Sequence, residues 1–237
     1  MSWNSNNIGG DHDQDSDEGL DYQNETNYSQ SDINYSQSEY YDDSIQDSLT
    51  IKVGMLGDAQ IGKTTLMVKY VQGKFEPDYI QTLGVNFMEK SISLRSTRVT
   101  FSIWDLGGEL EFVNMLPIVC DNATALLFMF DLARKSTLNS IRQWYNQARG
   151  FNSSAIAILV GTKYDEFIND SDEENIRTVT EHARLIAHAM HAPLVFCSSL
   201  HSINIHKIFK IILSKTFDLT LNFDEISQLG APILEFK

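Results

Sequence analysis

The alternation of apolar and polar positions changes character near residue 50. Up to about residue 48 the chain is built of Asn, Ser, Gln, Asp and Tyr, and Asn27-Tyr28-Ser29-Gln30-Ser31 recurs as Asn34-Tyr35-Ser36-Gln37-Ser38. Such a segment cannot bury enough apolar surface to offset its ordering entropy. Residues 1–48 are therefore read as a disordered tail, either a solvated spacer or a docking or phosphorylation segment.

Beyond it, Ile51–Leu56 reads as a strand and Gly62–Val71 as a helix. Val85–Leu94 and Val99–Trp104 alternate as paired strands, with Ser96-Thr97 at the turn. Ala123–Phe130 is a continuous apolar run, the pattern of a strand buried on both faces. Ser136–Ala148 has helical spacing with Ser136 as its cap. Ala155–Val160 is a further buried strand, and 166–175 an acidic loop. Glu174–Met190 is helical, Pro193–Cys197 a short strand, and Ile203–Ser214 a helix with an apolar stripe. Six strands alternating with helices predict an α/β fold, a doubly wound and mostly parallel six-stranded sheet over residues 49–216. Residues 217–237 follow as a C-terminal extension. Trp104 is expected in the core and Trp144 at the surface.

Charge sharpens this division. The formal net charge of −14 argues against a nucleic-acid or anionic-membrane binder. Residues 1–50 hold no Lys or Arg and 12 acids, which leaves 20 acids against 18 bases in the rest. The acidity belongs to the tail. The two cysteines, Cys120 and Cys197, are far apart in sequence, which fits a reducing, cytoplasmic setting. Neither terminus carries a lipidation motif and no apolar run approaches the roughly 20 residues of a membrane helix, so no direct lipid anchor is expected.

Every candidate for chemistry falls at the carboxyl end of a predicted strand, where ligands bind in such sheets. Gly57-Asp58-Ala59-Gln60-Ile61-Gly62-Lys63-Thr64 fits G-x-x-x-x-G-K-[ST] between a strand and a helix. Its backbone N–H groups, with Thr65 in the first helical turn, can cradle phosphates. Lys63 offers a point charge to the β- and γ-phosphates, and the Thr64 hydroxyl a ligand to Mg²⁺. Asp105-Leu106-Gly107-Gly108-Glu109 follows the third strand. There a carboxylate holds Mg²⁺ through water, and the Gly108 N–H can sense a γ-phosphate.

Thr162-Lys163-Tyr164-Asp165 follows the fifth strand. The Asp165 carboxylate can accept from guanine N1 and its 2-amino group, whereas adenine would leave it unpaired. The Lys163 stem can cover the base. Ser198-Ser199-Leu200 can add backbone N–H contacts to guanine O6. His182, His188 and His191 lack metal-site spacing and are set aside.

These motifs, in this order from Thr50 to about Lys215, resemble those of the Ras superfamily of small GTPases. The segment Phe75-Glu76-Pro77-Asp78-Tyr79-Ile80-Gln81-Thr82-Leu83-Gly84-Val85 is similar to a Rab-type switch I. That likeness implies Phe75 and Tyr79 beside the nucleotide, and Thr82 on Mg²⁺ and the γ-phosphate in the GTP state. The stretches Leu66-Met-Val-Lys-Tyr-Val-Gln, Asn114-Met-Leu-Pro, Leu159-Val-Gly-Thr-Lys-Tyr-Asp and Ser202-Ile-Asn-Ile-His-Lys-Ile-Phe resemble the septum-promoting, mitotic-exit GTPases of fungi and some amoebae.

The resemblance implies a monomeric GTP/GDP switch, recruited through protein contacts to the spindle pole body or centrosome. There it would recruit an effector protein kinase for cytokinesis and be inactivated by a two-component TBC-type activating complex. Two residues depart from the superfamily pattern. Ala59 stands where many relatives have Gly, putting a methyl in the path of an arginine finger. Glu109 stands where a Gln usually orients the attacking water. A carboxylate accepts from water but cannot donate to the γ-phosphate and repels it, so slow intrinsic hydrolysis is expected. The alternative reading is a guanine-nucleotide-binding scaffold with little hydrolysis, and a P-loop ATPase is disfavoured by Thr162-Lys-x-Asp165.

Overall fold

The computed structural model describes residues 47–236, with 77, 79 and 95 outside that description. The strands are β1 (Asp47–Leu56), β2 (Val85–Leu94), β3 (Thr97–Leu106), β4 (Ala125–Asp131), β5 (Ile156–Thr162), β6 (Leu194–Phe196) and β7 (Leu234–Glu235). The helices are α1 (Lys63–Gln72), α2 (Leu116–Cys120), α3 (Lys135–Phe151), α4 (Tyr164–Asp170), α5 (Glu173–Met190) and α6 (Ile205–Phe217). One sheet takes all seven strands in the order β2-β3-β1-β4-β5-β6-β7. β1, β3, β4, β5 and β6 are parallel, while β2 and β7 run antiparallel at the two edges.

The alternation along β4 explains the layering. Leu126, Phe128 and Phe130 point into one apolar layer, with Leu138, Ile141 and Trp144 of α3 and Val179 and Ala183 of α5. Leu127 and Met129 point into the other, with Leu66 and Tyr70 of α1 and Ile208, Phe209 and Ile212 of α6. Each such side chain contributes about 1.5–3 kcal/mol by leaving water. Helices on both faces make every central strand a continuous apolar run, which is why Ala123–Phe130 showed no alternation.

The structure departs from the sequence expectations at several places. β7 is a seventh strand, formed by the C-terminal extension, whose Ile233 and Leu234 are fully buried. Part of the expected acidic loop is helical, as α4, and α5 begins at Glu173, capped by Asp172 Oδ1 accepting from Asn175 N at 2.7 Å. Ser136 is not the cap of α3. Arg134 holds that position, and the Thr137 hydroxyl donates to its carbonyl at 2.7 Å while accepting from Asp131 N at 2.9 Å. Leu94 already pairs with Thr97, so the β2–β3 turn is one residue earlier than expected. The two tryptophans exchange roles. Trp104 is only half-buried, against Phe87 and the Lys52 ammonium, and Trp144 is buried at 6% exposure.

Candidate functional site

The loops after β1, β3, β4, β5 and β6 lie together at the carboxyl end of the parallel strands. The first, Gly57–Thr64, bends where only glycine fits. Gly57 has φ +147°, and a Cβ there would lie 2.2 Å from the Met129 carbonyl oxygen. Gly62 (φ +88°) and Gln60 (φ +62°) complete the turn into α1. Lys63 folds back over the loop, its Nζ donating to Gly57 O (3.0 Å) and Asp58 O (2.8 Å). Burial pulls its pKa down, and the attraction of Asp105, Asp58 and Glu109 opposes that.

Three oxygens converge beside it. Thr64 Oγ1 donates to Asp105 Oδ2 at 2.5 Å and lies 2.8 Å from Thr82 Oγ1. Thr82 Oγ1 reaches the same carboxylate oxygen at 3.4 Å. These residues lie far apart in sequence, and the third came from a family likeness alone. Asp105 is fully buried, and its Oδ1 has no hydrogen-bond partner among the described residues. Burial raises its pKa, against the pull of Lys63 and the two hydroxyls. A buried carboxylate with an orphan oxygen beside two hydroxyls is a hard-oxygen donor set that suits Mg²⁺. When bound, such an ion neutralises charge between β- and γ-phosphates.

The Asp105 loop closes on the first loop. A Cβ on Gly108 would sit 2.2 Å from Ala59 N and from the Asp58 carbonyl carbon. Gly107 N donates to Gly84 O at 2.7 Å, tying this loop to the Thr82 segment. Glu109 is exposed and lines a cleft of about 360 Å³ with Asp58, Ala59, Gly108 and, from α3, Gln143 and Trp144. Phe75 is 38% exposed beyond α1. Tyr79 lies outside the described residues, as does the tail of residues 1–46 with its repeat.

After β5, Lys163 adopts a left-handed conformation (φ +56°), and its Nζ pairs with Asp131 Oδ2 at 3.0 Å. Asp165 sits in the first turn of α4. Thr162 is a brace between loops: its hydroxyl donates to Ile61 O (2.5 Å) and lies within bonding distance of Phe130 O (3.0 Å). Ser198 is buried, with its Oγ accepting from His201 N at 3.1 Å, while Ser199 is half-exposed and Leu200 exposed.

Sequence reasoning missed four residues here. Asp131, at the end of β4, also accepts from Ala133 N (3.0 Å) and Arg134 Nε (2.9 Å). Arg134 Nη2 donates to Ala59 O at 3.0 Å. A continuous chain of polar contacts thus joins the phosphate loop, Arg134, Asp131 and Lys163. Trp144 Nε1 donates to Asp58 Oδ1 at 2.8 Å from across the cleft. The available signal was an apolar run ending in a carboxylate, with an arginine three residues on. Nothing in the pattern pointed to Trp144 or to Thr137.

The residue pattern of the Ras family matches residues 52–218. The chain is 62% identical over 194 residues to septum-promoting GTP-binding protein 1 of Schizosaccharomyces pombe, covering 82% of this chain and 98% of that one. It is 26% identical over 181 residues to the Ras-related protein SEC4 of Saccharomyces cerevisiae, covering 76% of this chain and 80% of that one. It is 27% identical over 160 residues to mouse Ras-related protein Rab-22A, covering 67% of this chain and 79% of that one. The family match over residues 52–218 and the 62% identity show that the chain belongs to the Ras superfamily of small GTPases, in the family of the septum-promoting GTP-binding protein.

Proposed function

We propose that the protein is a Mg²⁺-dependent GTP/GDP switch that controls septum formation, cytokinesis and mitotic exit. The observation that carries the switch is the convergence of Thr64, Thr82 and Asp105 on one point beside Lys63. Thr82 belongs to an exposed segment, flanked by Ile80 (79% exposed) and Leu83 (74%). It reaches the buried centre only while that segment is folded inward, and the Gly107–Gly84 bond carries the same closure to the second loop. Nucleotide state is thereby read out as surface shape. Thr64, Thr82 and Asp105 hold the ion, Lys63 and the loop N–H groups hold phosphates, and Lys163 and Asp165 hold guanine, with Ser198-Ser199-Leu200 and Phe75 around it.

The septation role rests on the fission-yeast relative and its 62% identity. In the GTP state the exposed apolar residues recruit an effector protein kinase, and the protein reaches the spindle pole by protein contacts. No described helix is long and apolar enough to cross a membrane. Glu109 makes unassisted hydrolysis slow, and a TBC-type complex supplies the missing groups.

The test is nucleotide competition. GTP should displace bound GDP, and ATP should not. Asp165→Asn should lose GTP and gain xanthosine triphosphate, because the amide matches xanthine's altered edge. Wild-type GTP affinity in Asp165→Asn would overturn the guanine-pocket assignment.

A further inference from the structure

The C-terminal extension does more than complete the sheet. Residues Ser227–Glu235 run past both loops assigned above to the guanine base, and each loop is tied to them by one side chain. Tyr164, the residue before Asp165, donates its hydroxyl to Gly230 O at 2.7 Å. Its ring is buried, and its own N–H holds Cys197 O at 3.0 Å, which joins the two base loops to each other. Asn204, in the loop that follows Ser198-Ser199-Leu200, donates Nδ2 to Pro232 O at 3.1 Å and to Phe196 O at 2.9 Å. It is buried and left-handed (φ +57°), so its side chain is fixed by the turn that carries it.

The extension is itself held firmly. Phe196 N donates to Ile233 O at 2.8 Å, and Leu234 pairs with Val195 in β7. Arg184 of α5 grips Glu235 Oε1 at 2.7 Å and Ser227 O at 2.6 Å. Gly230 turns with φ +82°, and a Cβ there would sit 3.9 Å from Ile168 of α4, the helix that bears Asp165.

We propose that this strap, Ser227–Glu235, is a positioning element for guanine recognition, with Tyr164 and Asn204 as the residues through which it acts. The inference rests on the guanine-pocket reading above. β6 is only three residues long, and α4 only seven. Neither can hold its adjoining loop to the accuracy that a two-point contact between Asp165 and guanine needs. An anchored strap crossing both supplies that accuracy from outside the pocket, as outer contacts do for ligands of a metal.

The experiment compares GDP with inosine diphosphate, which keeps the N1–H but lacks the 2-amino group. Affinities are measured by competition for wild type, Tyr164→Phe, a chain ending at Leu229, and the two combined. Tyr164→Phe should reduce the preference for GDP about three- to tenfold, the worth of one hydrogen bond, and the shortened chain at least as much, because it also loses the Asn204–Pro232 bond. The combined variant should lose no more than the shortened chain alone, because shortening already removes the Tyr164–Gly230 tie. Affinity for inosine diphosphate, carried by the phosphates, should hardly change. A strap that only stabilises the fold would weaken both nucleotides equally, and an unchanged preference in Tyr164→Phe overturns the proposal. If the shortened chain does not fold, Arg184→Ala removes both of its holds on the strap, at Glu235 Oε1 and Ser227 O, and should lower the preference in the same direction. Asp165→Asn is the control. If it abolishes guanine preference while Tyr164→Phe does not alter it, the strap proposal fails and the pocket stands. If Asp165→Asn leaves the preference intact, the pocket reading fails first.

Discussion

Gly108→Ala tests whether the second loop must touch the phosphate loop for the GTP state to form. The backbone of Gly108 is outside the left-handed region, so alanine introduces no torsional strain. The obstacle is contact. The added methyl would lie 2.2 Å from Ala59 N and the Asp58 carbonyl carbon, and 2.5 Å from Asp58 O. Ordinary contact needs about 3.5 Å, so the chains must separate by about 1.3 Å. Both sides are backbone, and no rotamer change can absorb that. The phosphate loop is pinned by Thr162 and Arg134 through Ile61 O and Ala59 O. The Asp105 loop, with Glu109 exposed, is the part that can retreat. Such a backbone shift costs about 1–3 kcal/mol of stability. It withdraws the Gly108 N–H from the position at which it would meet a γ-phosphate on the proposed reading, and a 1 Å misplacement costs about 10²-fold in rate. We expect GDP affinity within about threefold of wild type and single-turnover GTP hydrolysis about 10²-fold slower. The assays are fluorescent-nucleotide competition and phosphate release from preloaded protein. Wild-type hydrolysis in Gly108→Ala would mean that this contact is not part of the GTP state.

Glu109→Gln should change the unassisted hydrolysis rate but leave the rate with a TBC-type activator within about threefold, less than 1 kcal/mol of barrier. On the proposed reading such a partner supplies the missing groups, and a large change in the assisted rate would place residue 109 in the assisted transition state. Trp144→Phe keeps the buried ring but removes the donor to Asp58 Oδ1. It should cost about 1 kcal/mol, or 2–4 °C in thermal midpoint, and an unchanged midpoint would show that water replaces the indole. Burial pushes the Cys120 thiol up to about 11 and raises that of Cys197 as well. A raised pKa keeps the unreactive thiol form, so at about pH 8 the native protein should titrate slowly with a thiol reagent and become fully reactive on unfolding. Rapid labelling of the native protein would contradict the buried placement of both.

The phosphate loop, the Asp105 loop and the Thr162–Asp165 loop were legible because each is a contiguous run between a strand and a helix. Local spacing there fixes what the backbone can do. The parallel sheet was legible for a similar reason, since strands buried on both faces must be apolar throughout. The rest depended on what meets in space. Trp104 and Trp144 are equally apolar in a pattern, but Trp104 lies on the edge pair of strands, while α3 turns Trp144 toward Asp58. Ser136 and Thr137 are adjacent hydroxyl residues, and only the placement of Asp131 and Arg134 at the end of β4 shows that Thr137 makes the bonds while Arg134 holds the cap position. The short segment around Thr162 reads as base recognition, yet its hydroxyl is spent on Ile61 O, a residue 101 positions away. Ser227–Glu235 carries no motif, because it is held mainly through its own carbonyls, by Tyr164, Asn204, Arg184 and the edge of β6, which come together only once β6, α4 and α5 are assembled. Sequence alone determined the local chemistry of each loop. The tertiary structure decided which loops touch, because backbone oxygens and buried side chains acquire partners only when distant strands finish at the same end of the sheet.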